Sequence, residues 1–193
     1  PYAGLPAEEA ARVMKVPDGF SVKVAAAEPD VKQPIAMAFD DRGRLWVAEA
    51  YTYPIRAPEG QGKDRILIFE DTDGDGRADK VTVFADGFNL ITGLLVGNGG
   101  VYVGQAPDLL FLQDTNHDDK ADTREVVLTG FGTHDRHELV NGFTWGPDGW
   151  LYGTHGIFTN SNVGKPGAPD AERVPINAGV WRYHPQRKVF ERW

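Results

Sequence analysis

The sequence predicts an all-β repeat: a β-propeller of four-stranded antiparallel blades, with about three blades in an incomplete ring, behind a short N-terminal helix. Three observations predict it. A nine-residue acidic loop occurs twice. A strand–turn–strand module occurs three times. The segments between them alternate apolar and polar residues at period 2.

Residues 7–15 open the chain as a helix. Ala7, Glu8, Glu9, Ala10 and Ala11 are good helix formers, and Ala10, Val13 and Met14 share a face. Pro17-Asp18-Gly19 stops it. Phe20, Val22 and Val24 then alternate with Ser21, Lys23 and Ala25 as in a half-buried strand. The chain divides into 1–19, helix and linker, and 20–193, a partial propeller domain.

The module recurs at residues 35–48, 93–104 and 141–153. Each copy is a strand, a turn bearing Asp or Asn with Gly, and an aliphatic–aromatic strand. Aligning Gly43, Gly99 and Gly149 gives spacings of 56 and 50 residues, the scale of propeller blades. Further strands at 65–69 and 81–84 flank the first acidic loop, and 109–112 and 126–128 flank the second. Residues 179–183 and 188–193 repeat the hairpin without one. Each unit therefore has four strands. Propellers need about 4–8 blades, so the remaining blades, or another chain, must complete the ring. We expect an N-terminal portion of a longer protein. The alternative is a closed β-sandwich of about 10–12 strands.

Composition is that of a globular protein, with 41 % hydrophobic and 25 % charged residues. The formal net charge of −8 argues against nucleic-acid partners, which need a cationic face. The chain has no cysteine, which excludes disulfides, thiolate chemistry and covalent c-type haem within it. No apolar run approaches the roughly 18 residues of a membrane span.

The first loop, Asp71-Thr72-Asp73-Gly74-Asp75-Gly76-Arg77-Ala78-Asp79, recurs 43 residues later as Asp114-Thr115-Asn116-His117-Asp118-Asp119-Lys120-Ala121-Asp122. Alternate acids in a tight loop can wrap hard oxygens around one Ca²⁺, which takes about 6–8 of them. Expected ligands are Asp71, Asp73, Asp75, the Arg77 carbonyl and Asp79, then Asp114, Asn116, Asp118, the Lys120 carbonyl and Asp122. Glu125 is a further candidate. Neither loop has flanking helices, so neither is an EF-hand. Both read as structural clips on hairpin tips, and such loops suit a periplasmic or extracellular setting. The competing reading is a metal-free turn.

Several motifs together resemble a known family: Lys15-Val16-Pro17-Asp18-Gly19-Phe20, Ala27-Glu28-Pro29, Ala38-Phe39-Asp40 through Glu49, the first acidic loop, and Leu139-Val140-Asn141-Gly142 through Trp150-Leu151-Tyr152-Gly153. They resemble the large exported proteins of planctomycetes, verrucomicrobia and related bacteria described as membrane-bound dehydrogenases. The resemblance implies a propeller similar to soluble glucose and sorbosone dehydrogenases, with pyrroloquinoline quinone as cofactor. It also implies a haem-domain electron acceptor, which would lie outside this cysteine-free chain.

In soluble quinoprotein dehydrogenases a His before a Gly-Pro-Asp-Gly hairpin is the general base. Gly146-Pro147-Asp148-Gly149 is that hairpin here, and His137 is the nearest match, offset by one residue. An imidazole suits removal of a hydroxyl proton near neutral pH. Arg136 would hold an anionic cofactor or substrate. His155 follows the inner aromatic strand and is expected to face the channel. His134 is a weaker candidate, and a zinc site with Asp135 fits poorly without a helix. Tyr51-Thr52-Tyr53-Pro54 could contact carbohydrate. Trp46, Tyr102 and Tyr152 occupy equivalent positions and read as packing between blades, and residues 158–176 read as a surface loop. No phosphate-binding loop or nucleophile elbow is present. The sequence thus favours a calcium-stabilised, dehydrogenase-like propeller acting on sugars or alcohols. The alternative is a non-catalytic propeller that binds carbohydrate or protein.

Overall fold

The computed structural model describes residues 4–135 and 139–193. Among the described residues it contains one α-helix, α1 (Ala7–Val13), a short 3-10 turn at Asp170–Glu172, and three four-stranded antiparallel sheets with strands in chain order. The first blade is β1 (Pro34–Phe39), β2 (Leu45–Glu49), β3 (Asp64–Glu70) and β4 (Lys80–Phe88). The second is β5 (Gly93–Gly97), β6 (Gly100–Gln105), β7 (Asp108–Gln113) and β8 (Thr123–Thr129). The third begins with β9 (Asn141–Trp145) and β10 (Leu151–His155). A separate hairpin, β11 (Ser161–Val163) and β12 (Val174–Ile176), then intervenes. β13 (Gly179–His184) and β14 (Val189–Arg192) complete that sheet.

The first strands of the three sheets are neighbours: β1 touches β5, and β5 touches β9. This arrangement about a common side is that of consecutive blades in an incomplete propeller. The sequence register holds. Gly43, Gly99 and Gly149 sit at φ +76°, +76° and +79° in the three first turns, a backbone that glycine adopts without the Cβ clash.

Strand alternation assigns the faces. Trp46, Ala48, Ile66, Ile68 and Phe84 of the first blade pack on Val101, Val103, Leu110 and Leu112 of the second. Tyr102, Leu109 and Leu128 of the second pack with Leu151, Trp181 and Tyr183 of the third. Each fully buried Leu or Ile contributes about 1.5–3 kcal/mol. Trp181 explains Gly153, its cross-strand partner: a Cβ there would lie 2.2 Å from the indole. Of the three equivalent aromatics, Trp46 and Tyr102 are buried as expected, while Tyr152 is only half-buried and donates its hydroxyl to Asp148.

Three local expectations change. The helix ends at Val13, because Met14 is already extended and Pro17 denies Val16 the helical region. Residues 20–25 form no ladder, although Val22 and Val24 are half-buried between exposed neighbours. Residues 158–176 are no loose surface loop: Ser161, Val163 and Ile176 of their hairpin are buried against the second blade. Thr129 and Gly164 exchange backbone hydrogen bonds of 2.9 and 3.0 Å there.

Candidate functional site

Antiparallel strands alternate direction, so the connections separate to two ends of the molecule. The first turns and the acidic loops share one end. The β2–β3, β4–β5, β6–β7, β8–β9 and β10–β13 connections share the other. The expected calcium ligands and His155 therefore lie at opposite ends.

At the turn end both acidic loops close on themselves with the same bonds. Asp71 accepts from the N–H groups of Gly74 (2.8 Å), Asp75 (3.1 Å) and Gly76 (2.8 Å). Asp114 accepts from His117 (2.6 Å), Asp118 (3.2 Å) and Asp119 (2.8 Å). Asp75 takes the N–H of Arg77, and Asp118 that of Lys120. Asp79 and Asp122 clamp Thr72 and Thr115 through backbone and hydroxyl. The Gly76 N–H, then those of Gly74 and Asp75, hold the Asp71 carboxyl below the ordinary range, against a smaller effect of burial.

One carboxylate oxygen from each of Asp71, Asp73 and Asp75 lies within 4.8 Å of the others, so this donor set fits a hard divalent cation. Asn116 stands where the first loop has Asp73, and its amide donates to Asp122 at 3.0 Å. Glu125 points away to Lys188 of the third blade, at 3.2 Å.

The second loop also braces the first blade. Arg44, 8 % exposed, donates to Asp119 at 2.6 Å and to Asp40 at 2.8 Å, and Ala121 N–H bonds the Phe84 carbonyl at 2.9 Å. The Arg44 hydrogen bond holds the Asp119 carboxyl below its ordinary range, against burial. Burial pushes the Asp40 carboxyl up, but bonds from Trp46 and Arg44 outweigh it and the net shift is downward. A cleft of about 840 Å³ lies here between the two blades, lined by Arg44, Trp46, Asn98, His117 and Trp145.

At the connection end, Arg136 and His137 lie outside the described residues. Their flanks are placed. Gly132 N–H donates to Ser161 Oγ at 2.7 Å, and Asp135 N–H to Thr159 Oγ1 at 3.0 Å. The β8–β9 connection is thus pinned to the β10–β13 connection. His155 is buried and joins the same network. Its Nδ1 meets the Gly156 carbonyl at 2.8 Å and its Nε2 meets Ser161 Oγ at 2.5 Å. A carbonyl only accepts, so Nδ1 carries a proton toward Gly156, and the Nε2–Oγ bond ties the ring to Ser161.

Sequence reasoning missed two buried carboxylates. Asp64, fully buried, accepts from Thr52 N–H (2.8 Å), Thr52 Oγ1 (2.7 Å) and Ile91 N–H (3.0 Å). Thr52 Oγ1 in turn accepts from Leu90 N–H at 2.8 Å. Within Tyr51-Thr52-Tyr53-Pro54, Thr52 thus joins two blades. Glu49, also fully buried, accepts from Lys32 N–H at 2.6 Å and pairs with Arg65. Burial, and then Glu49, push the neighbouring Tyr51 hydroxyl pKa up. The signal was present in Glu49, which breaks the apolar run Leu45-Trp46-Val47-Ala48.

Comparison with solved structures agrees with the fold. The chain is similar to the calcium structure of a Trichoderma reesei carbohydrate-active enzyme of family AA12, at 15 % identity and a TM-score of 0.51. The match covers 78 % of this chain and 45 % of that one. It is also similar to a Thermus thermophilus protein provisionally described as an oxidoreductase (glucose dehydrogenase), at 21 % identity and a TM-score of 0.44. That match covers 66 % of this chain and 38 % of the other. The chain thus spans less than half the length of either protein. No curated protein sequence matches it. A family model, Domain of unknown function (DUF7133), matches residues 6–193, and the chain belongs to that family.

Proposed function

We propose that this chain is the propeller portion of an exported, quinoprotein-type dehydrogenase that oxidises sugars or alcohols, as its likeness to the planctomycete and verrucomicrobial membrane-bound dehydrogenases implies. One observation carries the reading. The connection that bears Arg136 and His137 is tied through Gly132 and Asp135 to the connection that follows His155. The described flank of Arg136 and His137 thus lies beside the connection that follows His155. His137 is the base that takes the hydroxyl proton as hydride leaves the substrate carbon for an acceptor. Arg136 pairs with a carboxylate. His155, with both ring nitrogens engaged, positions the loop through Ser161.

Pyrroloquinoline quinone would supply the two-electron acceptor when bound. Arg136 is the cation this reading assigns to it. The electrons would pass to a haem domain outside this chain, in the periplasm or outside the cell. Ca²⁺ on Asp71, Asp73, Asp75 and Asp79, and on Asp114, Asn116, Asp118 and Asp122, would stiffen the hairpin tips rather than meet substrate. The carbonyls of Arg77 and Lys120 would complete the two sets.

The test is dye-coupled oxidation of a panel of aldoses and alcohols by the full-length protein, supplied with quinone and Ca²⁺. Activity that His137→Ala lowers at least 100-fold, at unchanged melting temperature, supports the reading. No activity on any substrate favours a non-catalytic propeller that binds carbohydrate or protein, a reading for which the burial of His155 speaks. The calcium assignment is checked separately. Chelation should lower the melting temperature, and Asp73→Asn should weaken Ca²⁺ binding about tenfold by titration calorimetry. An unchanged melting curve would remove it.

A further inference from the structure

The open side of the first blade is built to receive a sheet. Cross-strand register places Met37 and Phe39 of β1, Leu45 and Val47 of β2, Leu67 and Phe69 of β3, and Val81 and Val83 of β4 on one face. The equivalent face of the second blade carries Val101, Val103, Leu110 and Leu112, all buried against the first blade. On the first blade Met37 and Phe39 are 71 % and 68 % exposed, and Val81 and Val83 are exposed as well. Among the described residues the N-terminal segment covers part of this face through Ala26 and Val31, beside Ala78 of the acidic loop.

That segment is held as an outermost strand would be. In the second blade, Ala121 of the acidic loop donates its N–H to Phe84 of β4, and Phe84 and Ala85 pack with the second blade's inner face. In the first blade, Ala78, at the same loop position, donates its N–H to Ala25 at 2.9 Å. Ala26 packs on Val47, Leu67 and Phe69. Ala25 and Ala26 therefore stand to the first blade as Phe84 and Ala85 stand to the second. Residues 20–25 keep the alternation of a strand, yet residues 21–24 make no backbone–backbone hydrogen bond among the described residues. An apolar cleft of about 660 Å³ lies between this segment and β1, floored by Leu45 and Val47.

We propose that residues 20–26 are the outermost strand of the blade that closes the ring. The other three strands of that blade would come from a later part of the same polypeptide and fill the cleft edge-on to this segment. The inference rests on the incomplete propeller and deepens it. A second copy is the poorer occupant. Its free face, on the third blade, carries Arg182 paired with Glu191 at 2.7 Å and stacked 4.1 and 4.0 Å from the Trp150 and Trp193 rings. Beside the exposed Val180 and Trp193, that face would press the Glu191 carboxylate, 43 % exposed, onto Met37, Phe39, Val81 and Val83, which offer it no polar partner.

The test is amide hydrogen exchange with a proline scan on the full-length gene product. Alternate amides within 21–25 should exchange at least about 100-fold more slowly than the amides between them. Of Ser21→Pro, Val22→Pro, Lys23→Pro and Val24→Pro, those that remove the protected amides should lower the melting temperature, and the others should leave it nearly unchanged. Fast exchange throughout 21–25, with β1 protected, would mean that the ring closes without this strand and would overturn the proposal. Protection that appears only on dimerisation would assign the face to a second copy and overturn it as well. Neither result depends on dehydrogenase activity.

Discussion

Loops 71–79 and 114–122 share one backbone but differ at its two left-handed positions. The first has Gly74 and Gly76 at φ +79° and +91°, and the second has His117 and Asp119 at +64° and +63°. A side chain in that region costs about 1–2 kcal/mol relative to the ordinary helical conformation. The difference follows what each tip meets. Gly74 has open space around it, and a Cβ on Gly76 would lie 2.8 Å from the Lys23 side chain. Asp119 reaches Arg44 of the neighbouring blade, with Asp40 beyond it. Backbone strain is retained where a side chain can tie two blades together, and glycine remains where the tip has only the N-terminal segment to hold.

The largest effect expected from breaking this comparison is at Arg44. Arg44→Met takes from Asp40 its paired cation and leaves Asp119 only Lys80, at 4.0 Å, as an ion-pair partner among the described residues, and the Asp40 side chain is only 5 % exposed. We expect a loss of about 3 kcal/mol by urea unfolding. A loss below about 1 kcal/mol would reduce the bridge to an ordinary surface pair. In the Arg44→Met background Asp119→Gly should stabilise, since only the strain then remains, and a double-mutant cycle reads the coupling directly.

Next come the glycine positions. Gly74→Ala should destabilise by about 1 kcal/mol, and His117→Gly should stabilise by about as much. The same sign for both, by thermal or urea unfolding, would mean that the loops do not share a backbone in solution.

The smallest effect is on pH dependence. The Asp40 and Asp119 carboxyls are both held below the ordinary carboxylate range in the folded state. Their stabilisation is complete above the unfolded value near about pH 4 and is lost as pH falls through the lower folded values. The stability gap between wild type and Arg44→Met should therefore be level from pH 7 to 5 and narrow below about pH 4. Urea midpoints that kept their separation at pH 3 would contradict the assignment.

Much of the fold was legible because it repeats. The turn glycines, the period-2 strands and the acidic loops are local signals, each set by backbone geometry within a few residues. The inserted hairpin of β11 and β12 was not legible, since Gly, Pro and Asn in residues 158–176 give turn signals whether the segment is buried or exposed. Asp64 and Glu49 were missed for a related reason. A carboxylate on a strand end reads as solvated until the backbone N–H groups of Ile91 and Lys32 are seen to meet it. For the candidate site, the sequence singled out His155 as a channel residue. The fold buries it against Ser161, and no local pattern announces a partner six residues away at the start of β11.

By itself the sequence determined the secondary-structure period, the glycine turns and the self-closing loops, because these depend on φ/ψ preferences and hydrogen bonds within about ten residues. Only the tertiary structure decided which apolar faces meet, which carboxylates are buried, and that the acidic loops and His155 fall at opposite ends. It also decided that residues 21–24, strand-like in sequence, make no ladder among the described residues. A strand is completed by its ladder, and a ladder needs a neighbour that a strand's own residues cannot supply.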